Sequence, residues 1–325
     1  MSTRSHRGHV GKPLPLTKLA LWLLVSFLAL VATACQASRQ ARARDLPRAD
    51  AIAEIRELES SLGFEPTRNF LRGSPNSAHY RCYVAGKLEL PDSYEGLRLR
   101  DGDPGGCNVD ENRYDVFFYP VEAVASGSAR VTEPLAKATD DRLSVVVPHE
   151  DFHNQPSIRS LPGTLPEAAA TLVGFLTAAE FAREKHGADS ERRQRLARET
   201  ELFLRKARIV NDYHARIRGM YGKFRAGLLT RAQALDQKEE LFAELGESCR
   251  AIEPAPATFN RCPAVLNNAA LAFDHSYTKQ YPLLHDLLVA LGGDPRKTVA
   301  FLLDLGGKRG LSEDEAAQAL RRHMR

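Results

Sequence analysis

"VVVPHEDFHNQP", residues 145–156, decides how the rest of the chain is read. His149 and His153 stand four residues apart, and Glu150 follows the first of them. On a helix, positions i and i+4 share a face, so both imidazoles can reach one ion. Zinc takes imidazole nitrogen at about 2.0–2.1 Å. Glu150 is rotated away from both histidines yet stands beside them, the place for a general base acting on a water that zinc acidifies. The β-branched run "LSVVV" predicts a strand over residues 143–147. Pro148 would then open the helix, in the first turn where no N–H is required. Pro156 cannot continue it, so the helix is expected to be short.

A catalytic zinc needs a third protein ligand and an open position. Glu167, in "PEAAATLVG", lies fourteen residues after His153 and near the start of the next expected helix. That helix could cross the histidine helix and present Glu167 to the ion. Glu180 and Glu184 are rivals further along the same helix. A carboxylate in a first helical turn is also favoured by the helix dipole alone. Two histidines and a glutamate most often mean zinc, although other divalent ions accept the same set.

The chain has 325 residues, a formal net charge of +4 and no Lys/Arg block shaped like a nucleic-acid patch. Arg4, Arg7, Lys12 and Lys18 precede an uncharged apolar run over residues 19–31, and the small residues Ala32, Thr33 and Ala34 lead to Cys35. That order predicts a signal peptide over residues 1–34. The run is short for a membrane span, which needs about 20 residues. A cysteine in the first mature position is similar to a lipobox, so Cys35 is the expected lipidation site and would anchor the chain to a membrane. Ala32 stands where a lipobox usually has Leu, and cleavage by the ordinary signal peptidase would leave a soluble periplasmic or secreted protein. Five cysteines are present, and with Cys35 set aside four remain in two local pairs. Cys82 with Cys107 and Cys249 with Cys262 are the expected disulfides, permitted in an exported protein. Other pairings, and free thiols, are open.

The remaining organisation is α+β with a predominantly helical C-terminal half. A polar linker spans 35–48, and a loop-rich N-terminal region with short strands spans 49–147. A helical region, 148–325, completes one catalytic domain with it. Periodicity and stop signals predict helices over 49–62, 165–185, 189–229 (whole or broken), 230–245, 266–291 (bent near Tyr281-Pro282), 294–305 and 312–324. Thr230, Asp294 and Ser312 are the expected N-caps, and Gly246 an expected stop. Strands are predicted over 80–84 and 116–119, besides 143–147. Asp101, Asp103 and Asp110 lack the spacing of an EF-hand loop and read as a solvated turn.

"HEDFHN", "PEAAATLVG", "NNAALAFDHSYTKQYPLLHDLL" and "YDVFFYPVEAVA" together resemble a bacterial envelope family described as predicted aminopeptidases, over about residues 58–306. Asp151-Phe152 departs from the small or aliphatic residues usual inside the motif. Pro166 replaces an expected Asn, and residues 90–107 fit poorly. The resemblance implies a zincin-like, gluzincin-type metallopeptidase in which His149, His153 and Glu167 hold zinc and Glu150 is the base. Its C-terminal segment draws attention to Tyr277, as a hydrogen-bond donor to an oxyanion, and to His275. Ordinary packing accounts for Tyr277 equally well and for His275 better. The implied substrate is a peptide. The contrasting expectation is a lipid-anchored, non-catalytic binding or scaffold protein, in which the metal is a structural clip or absent. His79, His214, His285 and His323 have no partner spacing and read as non-functional.

Overall fold

Ile52, Ile55, Leu58 and Leu62 recur at helical spacing, and all four are buried on α1 (Ala49–Leu62). Gly63 closes this helix at φ 99°, a left-handed conformation that suits a residue without Cβ. The computed structural model describes residues 48–74, 79–123, 127–256, 262 and 265–324, all within the unit Pro47–Arg325. Residues 1–47, with the expected leader, Cys35 and most of the linker, lie outside the described residues.

Among the described residues five strands follow: β1 (Gly73–Ser74), β2 (His79–Gly86), β3 (Arg98–Gly102), β4 (Tyr114–Val121) and β5 (Val131–Thr132). β2 is central in an antiparallel sheet of order β3-β2-β4, while β1 and β5 form a short parallel pair. Tyr83 lies opposite Phe117 and Arg81 opposite Tyr119. Alternation along β2 puts Arg81, Tyr83 and Ala85 on one face of the sheet.

The helices then run α2 (Glu133–Ala136), α3 (Asp140–His153), α4 (Leu165–His186), α5 (Glu191–Arg225), α6 (Arg231–Arg250), α7 (Asn268–Thr278), α8 (Tyr281–Ala290), α9 (Pro295–Gly307) and α10 (Glu313–His323). The fold is therefore α+β, with helices dominating. α4 is the central helix, packed against α3, α5, α8 and α9. Its length and composition would suit a membrane span, but 72% of its apolar window is buried inside the protein, as in a core helix. Tyr83, Ala85 and Phe117 of the sheet pack on Ala269, Ala272 and Phe273 of α7. The sheet is thereby seated beside the helical core. Both expected disulfides are formed, Cys82–Cys107 and Cys249–Cys262.

The expected strand over 143–147 is instead helix. Residues Leu143 through Phe152 of α3 are all buried, so the segment has no polar face to set a helical period. Val145 packs with the α4 core, while Val146 and Val147 pack with Ile55 and Leu135. Burial on every side outweighs β-propensity. Pro148 accordingly lies inside the helix rather than at its start, and Thr139 is the N-cap. The boundary expected between 147 and 148 falls within α3. Within the stretch 189–229 one unbroken helix forms, α5, over Glu191–Arg225, and the expected bend at Tyr281-Pro282 separates α7 from α8. Gly246 does not stop α6; a Cβ there would meet Leu266 Cδ1 at 3.0 Å, so the glycine admits that side chain. Thr230, Asp294 and Ser312 cap their helices as expected.

Candidate metal centre

α3 and α4 are consecutive antiparallel neighbours, and they approach each other closely at Gly174. A Cβ on Gly174 would stand 2.8 Å from the Val145 carbonyl oxygen and 3.5 Å from His149 Cβ. Glu167 lies seven residues before Gly174, two turns along the same face of α4. This contact brings His149, His153 and Glu167 together.

His149 Nε2 and His153 Nε2 are 3.2 Å apart, and Glu167 Oε2 lies 3.5 Å from the first and 3.1 Å from the second. Two ligands of a tetrahedral zinc, each at about 2.05 Å, stand about 3.3 Å apart. The three donor atoms thus already occupy the corners of one face of such a tetrahedron. The donor chemistry agrees, since two imidazole nitrogens face each other beside a carboxylate. Burial opposes ionisation of Glu167, but His153 and His149 hold it well below the usual carboxylate range. Burial lowers His149, whereas Glu167 outweighs burial at His153 and raises it. The residues present fit a divalent cation. Among the described residues no fourth Asp, Glu, His or Cys joins this group. Glu180 and Glu184 are not ligands: Glu180 is taken by Arg183 at 2.6 and 2.8 Å, and Glu184 lies 3.9 Å from the same guanidinium.

Glu150 stands beside the ligands, with burial pushing its carboxyl up to about 7. Its Oε2 is buried without a hydrogen-bond partner, which leaves a carboxylate oxygen available for chemistry. Asp151, unusual for its position in the motif, points to the opposite side. There it accepts from Arg56 Nε at 3.1 Å, Thr67 Oγ1 at 2.5 Å and Asn69 Nδ2 at 2.7 Å. A buried carboxylate so satisfied ties α3 to α1 and the segment after it.

Glu167 is oriented by a residue that spacing does not reveal. Tyr94 Oη donates to Glu167 Oε1 at 2.8 Å, leaving Oε2 to face His149 and His153. Tyr94 sits in a single 3₁₀ turn whose N–H donates to Ser276 Oγ of α7. α7 also brings Tyr277, whose ring lies 6.2 Å from that of His149. Burial holds the Tyr277 phenol well above its ordinary value, so it remains a donor. The ligands, Glu150, Tyr94 and Tyr277 line a cavity of about 210 Å³, together with Tyr83, Tyr119, Phe273, Arg81, Arg142 and Glu122.

His275 and His214, which carry no spacing signal, prove to be buried and stacked on each other, with ring centroids 3.6 Å apart. His275 Nδ1–H donates to the Asp92 carbonyl at 2.7 Å and His214 Nε2–H to the Pro91 carbonyl at 3.0 Å. The Asp92 carboxylate is engaged by Arg218 and Lys279. With two cations already on that carboxylate, the trio is a clasp holding residues 91–92 to α5 and α7, and it keeps the Tyr94 turn in place. His275 therefore does not face the metal centre. Asp103 and Asp110 cap their own turn, accepting from the backbone N–H of Gly105 and Asn112.

No family model, curated protein or solved structure matches this chain.

Proposed function

We propose that this protein is a zinc-dependent peptidase of the bacterial cell envelope, a zincin-like relative of the predicted aminopeptidases that its motifs resemble. The observation supporting this most is the convergence of His149, His153 and Glu167 at tetrahedral ligand spacing beside Glu150, in an open cleft. When bound, zinc supplies Lewis acidity toward water and a peptide carbonyl. Glu150 takes the proton of the attacking water and delivers it to the departing amine. Tyr277 donates a hydrogen bond to the carbonyl oxygen as it gains charge. Tyr94 fixes the orientation of Glu167. A structural clip would call for a fourth protein ligand and would have no use for Glu150. Two disulfides favour an oxidising compartment, in keeping with a cleaved leader and a lipid anchor on Cys35.

The test uses protein from Ser38 onward, the Glu150→Gln variant and a mixed peptide library. One zinc per chain in both proteins, with cleavage by the parent alone, is the expected result. Zinc in both without cleavage would favour a non-catalytic binding protein. Absence of metal from both after zinc is offered would remove the metal centre altogether.

A further inference from the structure

The two arginines of the cleft differ in their company. Arg142 is fork-bonded to Glu122, with Nε 3.1 Å from Oε2, so the two charges compensate each other. Arg81, projecting from the same face of β2 as Tyr83, lines the cleft with no ion-pair or hydrogen-bond partner among the described residues. The three carboxylates lining the cleft are all committed. Glu167 belongs to the metal set, Glu150 is the base, and Glu122 is held by Arg142. With a divalent cation in place, Glu150 and Glu167 balance it, and Arg81 leaves the cleft one positive charge in excess. Among the described residues of the lining no uncommitted carboxylate is left to receive a free amine. Around Arg81 stand Tyr83, Tyr119 and Phe273, an aromatic surface suited to an apolar side chain.

From these observations we infer that Arg81 recognises a substrate carboxylate near the scissile bond, flanked by an apolar residue. The guanidinium fork matches a carboxylate with two parallel hydrogen bonds. This deepens the peptidase reading and rests on it. It also points away from the free-amine recognition that the family resemblance implies. The carboxylate is either the C-terminus of a short peptide or an acidic side chain, and the chemistry at Arg81 is the same.

Binding decides the matter, measured by calorimetry on zinc-loaded Glu150→Gln protein so that turnover does not intervene. The probes are N-acetyl-phenylalanyl-alanine, its C-terminal amide, and an amide-capped peptide with Asp after Phe. A carboxylate probe should bind about tenfold or more tighter than the neutral amide, the worth of one hydrogen bond to an ionised group. Which acid gains identifies the terminus or the side chain. Adding Arg81→Gln should abolish the preference while zinc content and affinity for the amide persist, and Arg81→Lys should restore part of it. Equal binding of acids and amide, survival of the preference in Arg81→Gln, or no binding of any probe overturns the inference. Parent turnover is scored separately. Cleavage without acid preference would keep the peptidase and remove the role of Arg81. Arg81-dependent binding without cleavage would remove the peptidase and leave an anion-recognising cleft.

Discussion

Replacing Gly174 by Ala should damage the proposed metal centre without touching one of its candidate ligands. The new Cβ would lie 2.8 Å from the Val145 carbonyl oxygen, a backbone atom that no rotamer change can move. Real contacts do not fall below 3.0 Å, and 3.4 Å is where ordinary contact begins, so α3 and α4 must separate by 0.2–0.6 Å. Ligand distances tolerate about 0.2 Å, and the shift acts directly on the gap between His149 and Glu167. Overpacking costs about 1–3 kcal/mol. Exchange of Gly for Ala in a helix returns about 0.5–1 kcal/mol. The net loss should be about 1–2 kcal/mol, with zinc affinity about 10–100-fold weaker, as when a supporting contact of a metal site is removed. Denaturant unfolding of the metal-free protein reads the first quantity, and competition with a chromophoric chelator reads the second. Gly219→Ala is the control. Gly219 lies exposed on α5 with no atom near its missing Cβ, so this variant should gain about 0.5–1 kcal/mol and keep its zinc. Gly174→Ala protein as stable as the parent, with parental zinc affinity, would refute the close-packing argument.

Three further expectations concern the rest of the fold. Lys206, fully buried 3.1 Å from Asp274, should prove essential to stability: Lys206→Met leaves a buried carboxylate uncompensated and should cost about 3–5 kcal/mol in denaturant unfolding, with much of it recovered by adding Asp274→Leu. Burial, reinforced by His275, pushes His214 down to about 4. The unfolded chain, titrating near 6.5, therefore binds a proton that the folded state refuses; stability from this group is complete above about pH 6.5 and falls toward pH 4 by about 3 kcal/mol. A His214→Gln variant should show a shallower acid slope than the parent, and an identical slope would contradict the clasp. Replacing both Cys82 and Cys107, whose bond spans 25 positions, should cost about 3–4 kcal/mol in urea unfolding.

Much of the candidate site was legible because it is local. The i, i+4 spacing of His149 and His153 carries a geometric meaning as soon as a helix is assumed, and Glu167 enters one helix later. Tyr94 was not legible, since its contact with Glu167 bridges 73 positions and depends on where Ser276 seats a single turn. Arg81 was hidden for the same reason, because only the β2–β4 register places it beside Tyr119 in the cleft. Val145, Val146 and Val147 misled through propensity: a helix buried on all sides loses the polar stripe by which helices are recognised. Asp151 looked like a departure from the motif until Arg56, Thr67 and Asn69 supplied its partners. His214 and His275 pair face to face across 61 positions of chain, which no linear spacing rule detects.

The proposed ligand set lies on two helices consecutive in the chain, joined only by residues 154–164. This arrangement bears on the order in which the molecule forms. A loop of about ten residues closes in about 10–100 ns, and contacts local in sequence form readily. The pairing of β2 with β4, for example Cys82 with Phe118, and the locking of Glu167 by Tyr94 both require far larger loops to close. The candidate ligand triad is therefore expected to form before the wall of the cleft closes. If the α3–α4 hairpin belongs to the folding nucleus, a divalent ion bound by the triad should raise the folding rate as well as slow unfolding.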